Sequence, residues 1–75
     1  MTVQFRIVDL RSSTDNPVEF SVDRAKSPEE AARLATGEIL VRSGHPRDLR
    51  VRVYFQQEGQ PVTMVRLYRR VEDRP

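Results

Sequence analysis

Apolar and polar residues alternate with a period of two over four segments of the chain, and a fifth segment has the composition and boundaries of a helix. The C-terminal third shows the alternation most plainly. Leu49-Arg50-Val51-Arg52-Val53-Tyr54-Phe55 is followed, after a Gly59-Gln60-Pro61 turn, by Met64-Val65-Arg66-Leu67-Tyr68-Arg69-Arg70-Val71. Successive side chains of a strand point to opposite faces, so the pattern predicts Leu49, Val51, Val53 and Phe55 on one face and Arg50, Arg52 and Tyr54 on the other. Nearer the N-terminus, Val3, Phe5 and Ile7 share one side of a run from Val3 to Leu10, and Val18, Phe20 and Val22 share one side of a run from Val18 to Asp23. The intervening Ser12-Ser13-Thr14-Asp15-Asn16-Pro17 favours a turn, so these two runs read as an antiparallel hairpin.

Ser27-Pro28-Glu29-Glu30 marks a helix start. Serine caps free amides, proline suits the first helical position, and a glutamate three residues after the serine completes a capping box. Ala31, Ala32, Arg33, Leu34 and Ala35 are good helix formers, while Gly37 weakens the middle. Gly44 has the character of a left-handed C-cap and Pro46 forbids further helix, so the helix is expected from Pro28 to about Arg42. Its apolar stripe is Ala31, Leu34, Ala35 and Val41 with Ile39 at one border, and the alanines suit close approach to a sheet. Glu38 falls inside that stripe, which requires either a rolled helix or a place at the sheet edge.

The expected fold is therefore α+β: a single domain over 1-75, in the order β-β-α-β-β, with a four-stranded, mainly antiparallel sheet and one helix packed on one face. The second strand, helix and third strand form a crossover. An order 2-1-4-3 would resemble the β-grasp plan, and 1-2-3-4 is the alternative. Residues 71-75 read as a frayed tail. One helix covers one sheet face, leaving the other to solvent or a partner.

Composition narrows the chemistry. Seventy-five residues leave room for one small core, and self-association is a common remedy for marginal stability at this size. The absence of cysteine excludes disulfides, thiolate zinc sites and a cysteine nucleophile, and fits an intracellular protein. No apolar run approaches the roughly 18 residues of a membrane helix, and the N-terminus lacks a signal-peptide layout. A cytoplasmic protein without membrane contact is the expectation. Net charge is only +2, but the charge is unevenly placed. Residues 1–23 set Arg6 and Arg11 against Asp9, Asp15, Glu19 and Asp23, whereas residues 49–70 set Arg50, Arg52, Arg66, Arg69 and Arg70 against Glu58 alone.

The candidate binding surface follows from alternation: Arg6, Arg50, Arg52, Tyr54, Met64, Arg66, Tyr68 and Arg70, with Gln4, Glu19 and Ser21, on the face away from the helix. Arginine, tyrosine and methionine are enriched at protein interfaces, which points to a protein partner or a homodimer. Arginines around two aromatic rings also suit single-stranded RNA or DNA, although no RNA-recognition motif or glycine-rich loop accompanies them. The plain reading of the same residues is a solvated sheet face with cross-strand pairs. An enzyme is not expected. His45 with Asp48 falls short of a metal site and reads as a loop or helix-end residue; Ser12, Ser13 and Thr14 lack a base, and Glu29-Glu30 is first a capping feature. The three glycines, Gly37, Gly44 and Gly59, form no phosphate loop. No cofactor or metal is implied.

Overall fold

The computed structural model describes residues 3–10 and 18–73. The turn expected over Ser12–Pro17 and the last two tail residues, Arg74 and Pro75, lie outside these. The elements are β1 (Phe5–Asp9), β2 (Val18–Val22), α1 (Pro28–Thr36), β3 (Leu40–Val41), β4 (Leu49–Phe55) and β5 (Thr63–Arg69). They form one helix and a five-stranded antiparallel sheet in the order β2-β1-β4-β5-β3. The α+β class is as expected. The strand count is not, and neither is the order: the four longer strands alone run 2-1-3-4, which is neither of the two orders considered.

The helix-side rows build the core. β1 pairs Phe5 with Phe55 and Ile7 with Val53, and β4 pairs Val53 with Val65 and Val51 with Leu67. Phe5, Ile7, Val51, Val53 and Leu67, from β1, β4 and β5, are all buried. The same face of β5 also carries Thr63 and, opposite Leu40, Arg69. β2 and β4 both run antiparallel to β1 and hence in a common direction, with α1 in the connection between them.

The fifth strand exists because the helix ends early. Ser27 caps its start, accepting from the Glu30 amide at 3.1 Å. Gly37 closes it at φ 78, a left-handed conformation that strains any residue with a Cβ, and its amide donates to the Arg33 carbonyl at 2.8 Å. The helix expected to reach Arg42 thus stops at Thr36, and Leu40–Val41 pairs with Arg69 and Tyr68. Gly44 has a different role from the cap assigned to it. A Cβ there would lie 2.9 Å from Tyr68 Cβ, so its bare backbone permits a close approach to that ring.

The helix face is built of small residues. Ala31 and Ala32 are buried and Ala35 packs against the same core, which lets the helix lie close to the sheet. Leu34, expected in the stripe, is 55% exposed. The helix instead turns its Ala31–Ala32 side to the sheet, and Arg42 donates two bonds to Glu29, at 2.7 and 3.2 Å. Val18 and Phe20 sit on the helix side as expected but are exposed, because β2 is the outermost strand. Part of the expected tail is ordered into a short 3-10 turn, Val71–Asp73.

Candidate interaction face

Cross-strand register lays out the uncovered face in three rows. The first is Ser21, Arg6, Tyr54 and Met64; the second is Glu19, Val8, Arg52 and Arg66; the third is Leu49, Tyr68 and Val41. Directly opposed residues of antiparallel strands share a face, so Arg6, Arg52, Tyr54, Met64, Arg66 and Tyr68 come together there.

Arg50 does not join them. A bulge at Leu49–Val51 inserts one extra residue in β4: Leu49 faces Tyr68, while Val51 faces Leu67. A bulge breaks strict alternation, so Leu49 moves to the uncovered side and Arg50 follows Val51 to the helix side. There Arg50 is 3% exposed, donates from Nη1 to Asp9 Oδ1, and donates from Nε to Glu38 Oε2 at 3.0 Å. This pairing also places Glu38, beyond the helix end and beside the sheet. The cluster went unread although it left two traces: Asp9 has the core-facing parity of Phe5 and Ile7, and Glu38 interrupts an apolar stripe. Two carboxylates on the core side require a cation between them.

Electrostatics on the uncovered face are unevenly satisfied. Arg6 bonds Glu19 at 3.1 Å and lies 5.3 Å from the Tyr54 ring centroid, a cation–π distance. Arg70 sits just past β5 and pairs with Glu72 at 3.2 Å. Arg52 stands directly opposite Arg66, a juxtaposition of like charges, and its buried Nε has no hydrogen-bond partner among the described residues. Tyr54 and Tyr68 do not form one platform. They occupy rows one and three, with the Arg52–Arg66 pair between them, and Gly44 packs on Tyr68.

Other candidates resolve into structural roles. His45 Nδ1 accepts from the Arg47 amide at 3.2 Å and so caps the start of the Pro46–Asp48 3-10 turn, not a helix C-terminus. Glu30 reaches back past the helix start but accepts from the Lys26 amide at 3.2 Å, one residue before the Ser27 amide that the expected capping box uses. The hydrogen bonds from Arg42 hold the Glu29 carboxyl below its ordinary range, against a smaller opposing effect of burial, and raise the Arg42 guanidinium in return. Among the described residues no cluster of three or more His, Asp or Glu is placed to hold a metal ion. None of their helices is long and apolar enough to cross a membrane. Searched against protein-family models, curated proteins and solved structures, the chain matches none.

Proposed function

We propose that the chain is a small, non-catalytic interaction module working through the sheet face that the helix leaves uncovered, with a second copy of itself as the partner. The observation that supports this best is the make-up of the face. Val8, Val41, Leu49, Tyr54, Met64 and Tyr68 are all half-buried and lie in adjoining rows with three arginines. Aromatic, methionine and arginine side chains in one patch match the composition of protein interfaces. The middle row also has the charge order that a two-fold axis needs. It reads Glu19, Val8, Arg52, Arg66, so a copy turned about the row's centre brings each Glu19 against the partner copy's Arg66.

Sedimentation equilibrium over a dilution series tests this reading. The wild type is expected to dissociate on dilution, and Glu19→Arg or Tyr54→Glu to be monomeric at concentrations where the wild type is not. A wild type monomeric throughout the series contradicts it.

One observation favours a second reading, binding of single-stranded nucleic acid. The opposed Arg52 and Arg66, with a buried Nε lacking a partner, form an anion-seeking pair beside Tyr54. A base stacked on an aromatic ring contributes about 1–3 kcal/mol. Fluorescence anisotropy with labelled mixed-sequence oligonucleotides is the test: affinity should fall with added salt and again on Tyr54→Ala. Salt-insensitive or absent binding excludes it.

A further inference from the structure

A second feature lies on the other side of the sheet. Where Phe5 of β1 meets Phe55 of β4, the segment leading from β2 into α1 passes over a hollow of about 670 Å³. That volume is within the roughly 300–1,000 Å³ of small-molecule pockets. Its floor is apolar. The Phe5 and Phe55 rings pack with centroids 5.2 Å apart, beside the buried Pro28. Phe55 is only half-buried, while Val51 and Val53 in the same helix-side row are fully buried. The core is thus open at this end.

The rim is cationic: Arg24, Lys26 and Arg42 contribute to the lining, and among the described residues no carboxylate does. Arg42 is engaged by Glu29. The side chains of Arg24 and Lys26 belong to exposed residues and make no ion pair among the described residues. An apolar floor beneath unpaired cations complements one kind of ligand, an anion with an apolar body. We propose that this hollow binds a medium-chain aliphatic carboxylate, its chain on the Phe5–Phe55 floor and its head group between Arg24 and Lys26.

The site is independent of the uncovered face, and octanoate and 1-octanol serve as matched probes. In amide NMR titrations of the full chain, octanoate should give saturable shifts at residues 3–5, 24–27 and 55–57. 1-Octanol should bind about tenfold more weakly, the share expected from the two cations at partly screened distances. The double variant Arg24→Gln, Lys26→Gln changes only exposed positions, and its spectrum reports directly whether it is folded. It should reduce octanoate binding to the level of 1-octanol and leave 1-octanol unchanged. Equal binding of the two probes by the wild type overturns the proposal, as does the absence of saturable octanoate shifts or their confinement to the uncovered face.

Discussion

The two faces of the sheet are made from the same strands, often from adjacent residues, and are governed by different constraints. On the helix side the buried charge is matched: Arg50 is held by Asp9 and Glu38, and alanines admit the helix at short range. On the other side Arg52 stands against Arg66, and Met64, Tyr54 and Tyr68 are half-buried on the face that the helix leaves uncovered. Unmet polarity is tolerated where water reaches and destabilising where it does not. Strength of pairing therefore marks the face that holds the fold, and incomplete pairing marks the face left for a partner.

Substitutions in matched positions sharpen this contrast. Leu67 and Met64 lie on β5, pointing to opposite faces, and Leu67 is fully buried. Leu67→Ala should lose about 2–5 kcal/mol in urea denaturation, and Met64→Ala less than about 1 kcal/mol. Enlarging the close helix contact should come next. Ala31→Leu forces extra volume against the core and should cost about 1–3 kcal/mol by the same measurement. Gly37→Ala meets no neighbouring atom within 4 Å, so its loss of about 1 kcal/mol would report backbone strain alone.

The smallest effect is a pH dependence. Glu29 is lowered in the folded state by Arg42, so the pair's contribution is complete above the ordinary glutamate value near 4.5 and disappears as pH falls through the lowered one. Both side chains are more than a third exposed, so screening limits the effect to about 0.5 kcal/mol. Comparing Arg42→Gln with wild type at neutral pH and at pH 3 checks it: the difference in stability should shrink in acid.

Alternation and capping made much of this architecture legible. Ser27-Pro28 starts the helix where the capping pattern puts it, and β1, β4 and β5 show their helix-side rows in the spacing of valine, leucine and phenylalanine. What escaped were departures from period. Gly37 looks like a weak helix residue until the backbone adopts φ 78, and this early stop converts Leu40–Val41 into a strand. The bulge at Leu49–Val51 has no signature of its own, yet it exchanges the faces of Leu49 and Arg50 and removes one arginine from the candidate surface. Strand order was not legible, because alternation shows the two faces of a strand and not its neighbours.

The most direct test of the two-face account compares the arginines on either side of Val51. Urea denaturation of Arg50→Ala and Arg52→Ala, measured together, should separate them widely. Arg50→Ala leaves Asp9 and Glu38 without their cation and should lose about 3 kcal/mol or more. Arg52→Ala removes a side chain whose Nε has no hydrogen-bond partner among the described residues, and should stay within about 0.5 kcal/mol of wild type. Equal losses, or a larger loss at Arg52, would contradict the division between a face that holds the fold and a face left open for a partner.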